Sequence, residues 1–401
     1  MRAARVSLLA ATLALVACAG PAPLSRSRPV AATATAPPAA APAARAPETA
    51  PAVIAAAPEP VAPQATAIPA SPIPVAPAYQ PRSDRIAIVL PLQSSLYGRA
   101  AEAVRAGFLA AATTAGSAAR VQVIGHADDG VLPAVAAATE AGVALIVGPL
   151  TRDDLKTVLA MAPLRPRMLA LNQPEDGTPL PADTYAVALT IESDAALLAR
   201  RAYDEGARSL ATVTSDAPLQ QRFSNAFTAE WERSGGRALK QYRFDANPEV
   251  LALLRRELAV RTPDAVLLAL AGEDAALVKP YLPQKPVYAS SQIADGLQPS
   301  MLRDLEGVRY VEIPWLADPS AAAFARLPRP DSSDPVLERL YALGLDAFAL
   351  GDLLANAVPP QRVEFEGATG HLSLTLSRNF AREGRLMIIH DGQSVAYTSP
   401  Q

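Results

Sequence analysis

From about residue 85 the chain keeps returning to one pattern: a short all-apolar run followed by an Ala-rich amphipathic segment. Ile86-Ala87-Ile88-Val89-Leu90 is the first such run. It has no polar alternation, which is what a strand needs when helices cover both faces of its sheet. Further strand candidates are Val121–Gly125, Ala144–Val147, Arg167–Leu171, Tyr185–Leu189, Ser209–Thr214, Ala238–Phe244, Ala265–Leu270, Pro286–Ala289 and Val308–Val311. His371–Leu376 and Leu386–His390 come late. Helical spacing fills Ala100–Ala115, Leu132–Ala141, Arg152–Ala162, Asp194–Glu205, Gln220–Ser234, Pro248–Val260, Glu273–Tyr281 and Pro335–Ala355. Such alternation predicts βαβ units and parallel sheets. About ten strands exceed one compact doubly wound sheet, so two α/β lobes are expected.

The first 84 residues follow a different chemistry. Arg2 and Arg5 precede the uncharged apolar run Val6–Ala17, too short to span a bilayer and suited to a signal-peptide core. The run ends in Leu15-Val16-Ala17-Cys18, at the chain's single Cys. This ending resembles a bacterial lipobox, and the resemblance implies a signal peptide over 1–17, cleavage before Cys18, and lipidation of Cys18. Several acyl chains on one residue anchor stably where one does not. Ala19 follows, not the Asp that marks inner-membrane retention in enterobacterial lipoproteins, so the outer membrane is favoured. From Pro21 to Pro81 lie 16 of the 39 prolines, among Ala with scattered Thr, Ser and Val. Without apolar periodicity such a stretch cannot bury a core, and residues 18–84 read as a disordered or polyproline-like tether.

The whole chain carries 36 basic and 39 acidic side chains, a net of −3. Six Arg against Glu48, Glu59 and Asp84 lie before residue 85, leaving 30 basic and 36 acidic residues, a net of −6, for the folded part. An acidic surface without a basic stripe excludes nucleic acid as the main partner. One Cys excludes a disulfide framework and a Cys-based zinc site, and three scattered His make a His-rich metal centre an unpromising reading. There is no Gly-x-Ser-x-Gly elbow, P-loop, dinucleotide fingerprint or His-Glu-x-x-His. No catalytic residue, metal or cofactor is therefore expected. His126 beside Asp128 and Asp129 reads as a surface pair, and Glu364 and Glu366 as solvent-facing. His371 and His390 read as structural residues of late strands, and Trp231 and Trp315 as core or lobe-contact residues.

In open α/β sheets, ligands meet the loops at the carboxyl ends of strands. Three ends are distinctive, and together they make a candidate inter-lobe cleft. The first holds Gln93, Ser94, Ser95, Tyr97 and Gly98 ahead of a long helix; its hydroxyls can cap that helix or hold an anion at its N-terminus. The second is Gly148-Pro149-Leu150-Thr151, where Thr151 and Asp154 form a capping-box-like start. The third is Asn172-Gln173-Pro174-Glu175, readable as a turn or as polar groups aimed at a ligand. Whether a small ligand sits among them stays open.

A collinear set of motifs runs through the folded part. It begins Ile88-Val89-Leu90-Pro91-Leu92, Gly98 and Ala103-Val104-Arg105-Ala106-Gly107-Phe108-Leu109-Ala110-Ala111. It continues Val147-Gly148-Pro149-Leu150, Leu169-Ala170-Leu171-Asn172, Pro174-Glu175, Gly307-Val308-Arg309-Tyr310 and Ile313-Pro314-Trp315-Leu316. It closes with Arg339-Leu340-Tyr341-Ala342-Leu343-Gly344-Leu345-Asp346-Ala347 and Gly367-Ala368-Thr369-Gly370-His371-Leu372-Ser373-Leu374. The set resembles the C-terminal domain of the LpoA (LppC/YraM) family of penicillin-binding-protein activator lipoproteins, from Arg85 to about His390. The resemblance implies an α/β fold of the type I periplasmic-binding-protein kind: two doubly wound parallel-sheet lobes joined by crossovers. Lobe one would take about 85–190 and 312–360, lobe two about 191–311 and 361–401. It also implies an outer-membrane lipoprotein facing the periplasm. Such a protein binds a class A penicillin-binding protein, stimulates peptidoglycan synthesis, and does no chemistry itself. Members best associated with that role carry an N-terminal helical-repeat domain, where this chain has its Ala/Pro tether. The alternative is a periplasmic solute-binding receptor of the amino-acid type.

Overall fold

A computed structural model describes residues 79–160, 164–174 and 178–398. The signal segment, Cys18 and most of the tether lie outside the described residues. The first half runs β1 (Ile86–Leu90), α1 (Gly98–Thr114), β2 (Val121–Gly125), α2 (Val131–Glu140), β3 (Leu145–Val147), α3 (Arg152–Leu159), β4 (Arg167–Ala170) and β5 (Thr184–Ala186). These strands form a parallel sheet in the order β2-β1-β3-β4-β5. All five β1 residues are buried, because the strand is flanked by β2 and β3 and covered on both faces.

The chain continues through α4 (Ile191–Asp204), β6 (Ser209–Thr214), α5 (Pro218–Arg233), β7 (Arg237–Arg243), α6 (Pro248–Val260), β8 (Ala265–Ala269), α7 (Gly272–Val278), β9 (Val287–Ala289), α8 (Pro299–Asp304) and β10 (Val308–Glu312). It ends in α9 (Pro314–Ala317), α10 (Pro335–Leu354), β11 (Glu364–Glu366), β12 (His371–Leu374), β13 (Phe380–Glu383), β14 (Arg385–His390) and β15 (Gln393–Ala396). The second sheet reads β15-β14-β10-β9-β8-β6-β7, parallel from β10 to β7, with β14 and β15 antiparallel. The strands β11-β12-β13 form a third, antiparallel sheet.

Helix α10 crosses back to cover the first sheet, although it is more than 200 positions from α1. Gly107 and Gly344 make the approach possible: a Cβ on Gly107 would lie 2.0 Å from Tyr341 O, and one on Gly344 2.1 Å from Val104 O. Helix starts follow capping chemistry. Thr151 accepts from Asp154 N, Asn247 from Glu249 N, and Asp334 from Val336 N, the last two ahead of a Pro in the first turn. Among the described residues no helix is long and apolar enough to cross a membrane.

Two expectations change. The folded unit starts earlier than residue 85. Tyr79 Oη donates to Val143 O at 3.1 Å, and the amides of Arg82 and Ser83 both donate to Gly142 O at 2.9 and 3.1 Å. Residues 361–383, expected with lobe two, instead pack on lobe one. Val363, Leu372 and Phe380 share an apolar cluster with Leu90, Val147 and Phe348, and Ala186 N donates to Arg378 O at 3.1 Å. Only β14 and β15 extend the second sheet, because β14 finds its partner in β10. The short elements β13, β15, α8 and α9 have no counterpart in the sequence reading.

Candidate functional site

The strand-end residues come together as internally bonded turns. Ser94 is buried, and its hydroxyl accepts from Leu96 N (3.2 Å) and Tyr97 N (3.0 Å), ahead of α1. Gln93, Ser95 and Tyr97 face solvent, while Gln93 N donates to His126 O at 3.0 Å. Gly98 N donates to Ser94 O (3.0 Å) and closes the turn. Gly148 has φ +114°, and a Cβ there would fall 2.2 Å from Val89 O, so only Gly fits beside β1. Pro149 O accepts from Leu171 N at 3.0 Å. Asn172 Nδ2 donates to Leu150 O (3.0 Å), and its Oδ1 accepts from Arg152 Nε (3.3 Å) and Gln173 N (2.9 Å). Asn172 thus staples the loop after β4 to the loop after β3. A cavity of about 360 Å³ opens beside Arg152 and Pro174.

A second set of residues, unmarked in the sequence, braces the crossovers between the sheets. Three connections pass between them: β5 to α4, β10 to α9, and β13 to β14. Arg382, at the third, is 6% exposed. It donates to Asp194 Oδ1 on α4 (2.5 Å), Thr190 O (3.5 Å) and Thr369 O (3.2 Å). Burial pushes the Asp194 carboxyl above its ordinary range, opposed by Arg382. Arg339 on α10 forms a bidentate pair with Asp295 (2.8 and 2.8 Å) and grips Glu312 at the end of β10 (3.0 and 2.6 Å). Glu312 Oε1 also accepts from Ile313 N at 2.8 Å. Although burial opposes it, the two carboxylates hold the Arg339 guanidinium above its ordinary range.

The third brace is Asp346, also on α10. Its carboxylate accepts from Ala368 N (2.7 Å), Thr369 N (2.8 Å) and Thr369 Oγ1 (2.5 Å). Burial dominates over these bonds and pushes the group up to about 6. The turn it grips needs its glycines: a Cβ on Gly367 would lie 2.5 Å from Asp346 Oδ2, and Gly370 has φ +145°. Trp315 N donates to Ala368 O of the same turn at 3.0 Å. Its fully buried ring sits under the Arg329 guanidinium, 3.5 Å away. The Ile313–Leu316, Arg339–Ala347 and Gly367–Leu374 motifs are therefore one contact. Trp231 is likewise core, stacked on Phe227.

One histidine parts from expectation, while His371 and His390 lie in the late strands β12 and β14. His126 is buried, not a surface pair, and its Nδ1 bonds Ala127 O at 2.8 Å rather than either neighbouring aspartate. His371 bridges Glu366 (2.6 Å) and Glu364 (3.0 Å), both of them exposed. His390 pairs with Glu306 at 2.7 Å, with Asp391 near; all three are exposed.

Two α/β lobes joined by three crossovers define a type I periplasmic-binding-protein-like fold. The family model for "LppC putative lipoprotein" matches residues 55–387, and the chain belongs to that family. The match begins inside the segment read as tether. The penicillin-binding protein activator LpoA of Enterobacter sp. (strain 638) is 26% identical over 309 residues, covering 66% of this chain and 43% of that protein. LpoA of Escherichia coli (strain K12) is 28% identical over 278 residues, covering 58% and 41%. The chain thus spans about two-fifths of the length of these relatives. Among solved structures, the Haemophilus influenzae LpoA (YraM) C-domain, "a regulator of PBP1A", is 25% identical with TM-score 0.65, covering 78% of this chain and all of that one. A "putative branched-chain amino acid ABC transporter" from Chromobacterium violaceum is 35% identical with TM-score 0.67, covering 76% and 99%.

Proposed function

We propose that the protein is a lipid-anchored regulator on the periplasmic face of the outer membrane. It docks on a class A penicillin-binding protein and stimulates peptidoglycan synthesis without catalysis of its own. The observation that supports this best is the family match, together with the full coverage of a solved LpoA C-domain. Cys18 would carry the acyl chains, and the Ala/Pro-rich segment would give the folded part reach into the periplasm. The braces at the crossovers suit a scaffold that holds its two lobes in a set relation for a protein partner. The test adds the lipid-free chain to purified class A synthases from the same organism. Co-retention and a raised cross-linking rate are expected; no binding with an unchanged rate refutes the reading.

The solute-receptor reading draws on the Chromobacterium neighbour and on the polar strand ends. It ranks second because the Ser94 hydroxyl and the Asn172 amide are already used in holding turns together. An amino-acid and muropeptide panel in a thermal-shift assay separates the two; a saturable shift favours the receptor.

A further inference from the structure

Among the described residues, strand β7 is an open edge of the second sheet, paired only with β6. Its outward side is solvent-exposed along most of its length. Phe244 N donates to Thr214 O at 2.8 Å, so by alternation the amides of Gln241 and Arg243 point away from β6. Helix α6 runs back beside β7, and between them lie two adjoining cavities of about 170 and 560 Å³ that share Lys240, Tyr242, Leu253 and Glu257. The apolar lining reaches the surface: Leu253 is 47% and Val260 90% exposed. Globular proteins blunt such edges or use them.

The charge around this groove opposes that of the rest of the protein. Residues 237–261 hold six basic and three acidic side chains, in a folded part of net −6. Lys240 pairs with Glu257, and Arg243 with Asp216. The exposed side chains of Arg237, Arg255, Arg256 and Arg261 have no ion-pair partner among the described residues. Arg256 and Arg261 line the larger cavity together with Leu239 and Val260. An unpaired strand edge supplies backbone bonds, the groove takes alternate side chains, and the arginines demand carboxylates.

We propose that the β7–α6 groove docks an extended acidic segment of a protein partner, added as a further strand to the second sheet. Its apolar side chains enter the groove and its carboxylates meet Arg256 and Arg261. The inference is separate from the activator reading, since a synthase can dock on another face.

The test titrates the full chain in detergent into a fluorescein-labelled Val-Glu-Val-Glu-Val-Glu-Val peptide, with the Val-Lys heptamer as control, and follows anisotropy. Binding of the acidic peptide at least tenfold tighter than the basic one is expected. Bound peptide should slow amide exchange at Gln241 and Arg243. The double variant Arg256→Glu/Arg261→Glu touches only exposed side chains and should weaken binding at least tenfold with an unchanged melting temperature. Gln241→Pro should do the same by removing an outward amide. Equal binding of both peptides, or acidic-peptide binding indifferent to these variants, overturns the proposal. So does failure of the peptide where soluble muropeptides bind through the same arginines. A dimer that Leu253→Asp dissolves, with no peptide binding, assigns the face to a second copy and also overturns it.

Discussion

Replacing Gly344 by Ala tests whether the α1–α10 crossing is set by two glycines. The added methyl would stand 2.1 Å from Val104 O, 2.8 Å from Phe108 N and 3.0 Å from Val104 C. All are backbone atoms of α1 and cannot rotate away. Reaching an ordinary contact of about 3.4 Å needs the helices to part by more than about 1 Å, and overpacking of this kind costs roughly 1–3 kcal/mol. The separation also loosens the edge-to-face Phe108–Phe348 pair, at 5.4 Å and 87°, worth about 0.5–1.5 kcal/mol. Ala returns about 1 kcal/mol of helix propensity. The net expectation is a loss of about 1–3 kcal/mol, read as a lower urea midpoint. Gly351→Ala is the control on the same helix. Its methyl would meet only the side-chain ends Val147 Cγ2 at 3.2 Å and Leu145 Cδ2 at 3.3 Å, so it should leave stability unchanged or slightly raised. Equal midpoints for Gly344→Ala and wild type, or greater damage from Gly351→Ala, would refute the reasoning.

Arg339→Met leaves Asp295 and Glu312 facing each other without their shared cation, and should cost about 3–5 kcal/mol in urea unfolding. It should also broaden the inter-lobe distance distribution measured between two dyes. Asp346 carries a folded-state pKa of about 6, above its ordinary 3.8, so its folded form binds a proton more tightly. Its contribution to stability should therefore rise as pH falls from about 6 toward 4, by up to about 3 kcal/mol. Asp346→Asn should flatten that rise; a wild-type profile in the variant contradicts the assignment. Hydrogen bonding to Glu366 raises the His371 pKa, so its ion pairs are present below the ordinary histidine range and lost as pH climbs through the raised value. In an NMR titration Glu366→Gln should move the His371 midpoint down. Trp315→Ala empties the ring site under Arg329 and should cost about 3–5 kcal/mol in thermal or urea unfolding.

The β-rich core was legible because its signal is local. Ile86–Leu90, Val121–Gly125, Ser209–Thr214 and Pro248–Val260 keep in the structure the bounds they have in the sequence reading. A strand covered on both faces, such as Ile86–Leu90, is rich in apolar and β-branched residues, and a helix with one buried stripe repeats near 3.6 residues. The turn glycines were legible as motifs, though not as contacts. Nothing near Gly344 announces that its neighbour is Val104. Strands β13 and β15 were not legible, being four residues long and only half apolar, with partners that supply the stability their own residues lack.

The sequence by itself determined a parallel α/β fold in two parts, a family, and a lone Cys after a signal-like run, because periodicity and motif order are written residue by residue. Only the tertiary structure decided which side chains brace the crossovers. Arg382 meets Asp194 across 188 positions, and Arg339 meets Asp295 across 44. It also decided that residues 361–383 pack on the first lobe, and that among the described residues β7 is left as an open edge beside arginines without ion-pair partners. Ion pairs and sheet edges depend on how distant segments close in space, and that closure is set by burial of the whole core.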